Sequence, residues 1–240
     1  MLFSFSPRER LDALKSTDPK ELILLKQQLI ESSPQKRWPF GMPTSINPLI
    51  LFVGASPGGS PDPYQPILDY SPSIGKPHNG LFYDDKAGFW RKTRKLGTLV
   101  INNLDSKVTE DEALSLIGAL NLSESQSSSA SGISELSYAE WTFNIICKLK
   151  PRFVLMGGLK GELLKRKEIG KAFNSSLKPI NWNKPEFIIR FRETNYKTSV
   201  WLRDNIKFIF LPNHVGRVPM TAEGSLKYAA QDIIKIENKY

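Results

Sequence analysis

The sequence has little with which to build covalent or metal-held scaffolds: one cysteine, Cys147, and two histidines in 240 residues. A single cysteine excludes an internal disulfide and a self-contained four-cysteine zinc or iron–sulfur site. No clustered ligand spacing replaces it, so neither a metal nor a cofactor is expected. Long apolar runs are also missing. The longest, such as Ile50-Leu51-Phe52-Val53, are strand-length, far short of the roughly 20 residues that cross a bilayer. The start, MLFSFSPRER, lacks a signal peptide's apolar region, which makes a cytoplasmic protein the default expectation. Acidic residues are outnumbered, 24 Asp+Glu against 33 Lys+Arg. The resulting net charge of +9 is the footprint of a protein that meets phosphate.

What is present fits one large α/β domain over residues 1–240, with a helical N-terminal extension over 1–46 and a serine-rich insertion over 121–137. Helical spacing covers the N-terminal stretch, with Ser6 and Asp18 as N-caps and Pro19 opening a second helix. Strands are expected at 49–53, 98–101, 152–156 and 206–211, with β-rich runs at 186–191 and 199–202. Helices are expected at 88–96, 109–119, 138–149, 159–173 and 226–236. Short, almost wholly apolar strands alternating with helices predict a three-layer α/β/α fold around a mostly parallel four-stranded sheet. In such sheets ligands sit at the carboxyl ends of the strands. The unusual residues cluster there: GASPGG after the first strand, Asn102-Asn103 after the second, Gly157-Gly158 after the third and PNHVGR after the last.

Three of these segments resemble signatures of the uracil-DNA glycosylase superfamily. LILFVGASPGG is similar to its first motif, LVINN to the strand ending in a base-reading asparagine, and FIFLPNHVGR to the strand that runs into a histidine and a minor-groove loop. Between them HNGLFYDDKAGFWRKTRKLG resembles the segment that brings an aromatic ring onto the base. The resemblance spans roughly residues 49–231. It implies a glycosylase-type fold and a monofunctional DNA glycosylase that flips a base, cuts its glycosyl bond and leaves an abasic site. Such chemistry needs close backbone approach, an aromatic plate, an amide with both donor and acceptor, and a donor near the departing base.

The resemblance implies the following roles. Gly54, Ala55, Pro57 and Gly58 line the flipped nucleotide. Ser56 stands where the family places a water-handling Asp or Asn, and Asp62 offers a carboxylate farther along the loop; both remain candidates for that water. Phe82 or Tyr83 stacks on the base, Asn102 (with Asn103 as understudy) reads its edge, and His214 assists the leaving base. Gly216 and Arg217 face the minor groove, and Lys86 and Arg91 meet phosphates, which position DNA without reading sequence. His78, the other histidine, precedes the aromatic segment.

Gly58 replaces the tyrosine with which the uracil-specific branch excludes a 5-methyl group, so the pocket is expected to admit 5-substituted pyrimidines. Hypermodified cytosines of phage DNA, removed in bacterial antiviral defence, fit that expectation; repair of uracil or other deaminated bases is the alternative. Serine at 56 also leaves open a catalytically silent DNA-binding module. A nucleotide-hydrolase reading of GASPGGS lacks the Gly-Lys-Ser/Thr that would follow. DNA is the expected partner, and a monomer the expected state.

Overall fold

Two prolines set the first helices. In the computed structural model α1 (Pro7–Ser16) opens behind Ser6, whose hydroxyl accepts from the Glu9 amide. Helix α2 (Pro19–Glu31) opens behind Asp18, whose Oδ1 accepts from the Lys20 amide at 2.8 Å. Proline fits these first positions because its missing N–H would have no helical partner there. Along the chain follow β1 (Ile50–Gly54), α3 (Gly88–Leu104), α4 (Glu110–Ser115), β2 (Ile117–Asn121), α5 (Ala139–Leu149), β3 (Phe153–Gly157), β4 (Lys178–Pro179), β5 (Phe187–Phe191), β6 (Thr194–Thr198), β7 (Val200–Arg203), β8 (Ile206–Leu211) and α6 (Glu223–Glu237). The structure describes residues 6–32, 47–54, 88–122, 139–157, 178–179, 187–191, 194–198, 200–203, 205–211 and 223–237.

The sheet is mixed and mostly parallel, in the order β2-β1-β3-β8-β7, with the two-residue β4 beyond β7. The first four strands are parallel, and β7 and β4 are antiparallel additions. Alternate residues of each strand feed two cores. Leu51, Val53, Val154, Met156, Phe208 and Phe210 pack with α5 and α2. Ile50, Phe52, Phe153, Leu155, Ile209 and Leu211 pack with α1, α3 and α6. Helices therefore cover both faces, which is why these strands read as unbroken apolar runs. A separate hairpin, β5–β6, lies against α6. Among the described residues no helix is long and apolar enough to cross a membrane.

The sheet exceeds the expected four strands, because β7 and β4 add antiparallel beyond β8. Two further expectations are corrected. Residues 98–101 form no strand; they continue α3. Thr98, Val100 and Ile101 are buried, the latter two in the core that holds Ile50, Phe52 and Leu155, so tertiary packing overrides the β preference of that branched run. Contact there is close: a Cβ on Gly97 would lie 2.6 Å from Ile117 Cδ1. The second correction concerns 109–119, expected as one helix. Helix α4 stops at Ser115, where the Leu116 amide turns back to the carbonyls of Ala113 and Leu114. The following IGALN is β2, pairing in register with β1. Asn121 thus belongs to the sheet and not to the serine-rich insertion, whose residues from 123 lie outside the described set, as does the expected helix 159–173.

The amino edge of the sheet is closed by charge. Arg10 of α1 is fully buried and donates to Asn47 Oδ1 (2.7 Å), to the Pro48 carbonyl (2.8 Å) and to the Lys150 carbonyl. Glu237, ending α6, pairs with Arg152 at 2.8 Å and Lys207 at 2.6 Å, residues that precede or begin the strands β3 and β8. Helices α1 and α6 are thereby pinned to the same end of the sheet.

Candidate functional site

With one edge sealed, the opposite edge is where loops and ligands can meet. Register pairs Gly54 with Asn121 and Gly157 with Leu211, so the four parallel strands end in a row. Beyond Asn121, the Leu122 amide donates to the Gly54 carbonyl at 3.0 Å, which carries the row one residue past the strand. The chain passes from β1 to β2 on one side, then back across β1 to β3 on the other. The strand order reverses between β1 and β3, and a crevice opens at the carboxyl ends of such a pair. Gly54 and Gly157 end these two strands, and both are half-exposed. Among the described residues, a Cβ added at Gly157 would meet nothing within 4 Å.

Helix direction adds charge to this edge. Asp105, just after α3, lies 3.7 Å from Arg8 of α1, near the sealed end. The start of α3 therefore points to the carboxyl edge. Helix α6 runs the same way, since Glu237 is at the sealed end. Two positive helix ends at one edge favour a phosphate-bearing ligand. In the leading half of α3, Arg91 is exposed, Arg94 and Lys95 are half-buried, and Lys92 is buried.

Four of the residues singled out from sequence, Asn103 as understudy included, fall in the described set. Gly54 ends β1 at the crevice. Arg91 is exposed on the first turns of α3, on the same side of the molecule. Asn102 is displaced from its expected place. It lies one turn before Asp105, toward the sealed end, half-buried, and its Oδ1 has no hydrogen-bond partner among the described residues. Asn103 is exposed, its Nδ2 donating to the Leu99 carbonyl at 2.9 Å. Ala55, Ser56, Pro57, Gly58, Asp62, His78, Phe82, Tyr83, Lys86, His214, Gly216 and Arg217 lie outside the described residues.

The strand-end asparagine beside Gly54 is Asn121, which the sequence reading passed over. Its signal was Gly118: a glycine three residues before it costs a helix about 1 kcal/mol and argues against the helix drawn through 119. Among the described residues no group of three or more His, Cys, Asp or Glu could hold a metal ion. Compared with known proteins, the chain matches no protein-family model and no curated sequence. The site therefore stands on its own geometry: two glycine strand ends, an asparagine that pairs in register with one of them, and the starts of α3 and α6 at the same edge, with the basic residues of α3 near its start.

Proposed function

We propose that the chain is a monofunctional DNA glycosylase on a uracil-DNA-glycosylase-like fold, acting on a 5-substituted pyrimidine. One observation carries the reading: β1 and β8, which lead into GASPGG and PNHVGR, end at the same edge with only β3 between them. At normal strand spacing their ends are about 10 Å apart, a separation that one flipped nucleotide can bridge.

In this reading the backbone of Gly54, Ala55, Pro57 and Gly58 lies along the flipped nucleotide, and Phe82 or Tyr83 stacks on its base. Asn121 takes the role expected of Asn102, because it and not Asn102 ends a strand beside Gly54. An amide offers both a donor and an acceptor to a pyrimidine edge. His214 donates to the base oxygen as negative charge develops there, and Ser56 or Asp62 holds the attacking water. Lys86, Arg91, Gly216 and Arg217 meet the backbone. The glycosyl bond breaks, the base leaves with the electron pair, water supplies the hydroxyl on the sugar, and the proton that water gives up ends on the departed base.

The test is base release from DNAs carrying uracil, thymine mismatches, hydroxymethylcytosine or glucosylated hydroxymethylcytosine, read as abasic sites opened by alkali. Release confined to the bulky cytosines is expected. Release of uracil alone would return the protein to repair of deaminated bases. Ser56 in place of Asp or Asn favours a second reading, a silent DNA-binding module, which predicts binding without release from any of these DNAs.

A further inference from the structure

The outward stripe of α6 carries Lys227, Tyr228, Gln231 and Lys235, all exposed. Leu226, Ala229, Ala230 and Ile233 of the same helix are buried, yet Tyr228 remains 47% exposed. Arg190 of β5 backs it, with the guanidinium carbon 5.1 Å from the ring centroid. That guanidinium is fixed: Nε and a terminal nitrogen donate to Asp232 at 2.9 and 2.8 Å, and the Arg190 amide donates to the same carboxylate at 3.0 Å. Asp232 is itself buried. Burial pushes its pKa up, but the hydrogen bonds and charge of Arg190 outweigh this and hold it below the usual carboxylate range. Ile188, two positions before Arg190 and so on the same face of β5, is 48% exposed.

A flat ring, braced from behind and flanked by cations, is a poor resting surface but a good receiving one. Among the described residues of this surface, Arg190, Lys227 and Lys235 stand against the carboxylate of Asp232, and the complement of that set is anionic. An acidic peptide would satisfy the charge and leave the ring unused. A nucleic acid strand offers phosphates for the lysines and a base for the ring. We propose that Tyr228, braced by Arg190, is a stacking platform for an unpaired base of single-stranded DNA. Tyr228 lies five residues into α6, about 8 Å along the helix from its start at the carboxyl edge. The inference rests on the glycosylase reading in one respect: the platform holds the strand that leads away from the crevice.

The test is fluorescence anisotropy of the full chain with a labelled oligothymidylate and with an abasic oligomer of equal length and charge. Wild type is expected to prefer the oligothymidylate by about tenfold, as one stacked base provides. Tyr228→Ala is expected to lose that preference, and Tyr228→Phe to keep it. Retention of the preference in Tyr228→Ala would overturn the inference, as would competition by oligoglutamate equal to that by oligothymidylate. Only normal bases are used, so the outcome is independent of excision. Absence of base release from every modified DNA would remove the glycosylase reading while leaving the platform standing.

Discussion

Among single residues, Arg10 shows how far a side chain's role can lie from its appearance in sequence. Within SPRERLDALK it reads as one more solvated cation. In the fold it is buried and gathers Asn47, Pro48 and Lys150 around one guanidinium. Those partners are remote in sequence, so no local pattern could reveal them. Lys150 contributes its carbonyl from a left-handed conformation (φ 45°) just after α5, an uncommon geometry for a residue other than glycine. Burial, and then the nearby Arg152, lower the Arg10 pKa to about 10, which still leaves it charged at neutral pH. Arg10→Met should orphan these acceptors at a cost of about 3 kcal/mol or more. In a chain of this size that corresponds to a Tm lower by about 6–12 °C, measurable by calorimetry; an unchanged Tm would mean that water replaces the guanidinium without loss.

At the scale of elements, the sequence was legible where periodicity and caps agreed. Strands β1, β3 and β8 and helices α1, α2, α5 and α6 lie within a few residues of their expected places. It misled where small and branched residues exchanged roles. Thr98 to Ile101 is rich in strand formers but packs as one face of α3, while β2 contains Gly118 and Ala119, poor strand formers that the sheet recruits through pairing with β1. Helix α4, between them, is set by a reciprocal cap. The Thr109 hydroxyl accepts from the Glu112 amide, and the Glu112 carboxylate accepts from the Thr109 amide at 3.0 Å. Glu112 also reaches Lys15 of α1 at 2.8 Å. Lys15 first, then the Thr109 amide, pull the Glu112 pKa from an ordinary 4.5 to about 2. A depressed carboxylate stabilises the fold fully above its unfolded pKa, and the contribution disappears as pH falls through the folded one. The Tm difference between wild type and Glu112→Gln should therefore be greatest above about pH 4.5 and shrink toward zero near pH 2. A difference that is constant across that window would show that Glu112 acts through packing and not through its charge.

For the whole molecule, the two sheet edges differ in what they gather. One edge is closed by Arg10, Arg152, Lys207 and Glu237; the other gathers four strand ends, a reversal of strand order and two positive helix ends. The sequence showed that GASPGG and PNHVGR follow unmistakable apolar runs, and the strands formed by those runs, β1 and β8, do end at one edge of the sheet. It did not reveal which asparagine lies there, since that depends on which segment pairs with β1. The most direct measurement compares single-turnover base release by Asn121→Ala and Asn102→Ala on the best modified-base DNA. For the proposed glycosylase, a loss of about a hundredfold or more is expected for Asn121→Ala, the scale of removing one group that acts on the transition state, and near-wild-type release for Asn102→Ala. Loss confined to Asn102→Ala would contradict the assignment of the carboxyl edge as the place where the base is held.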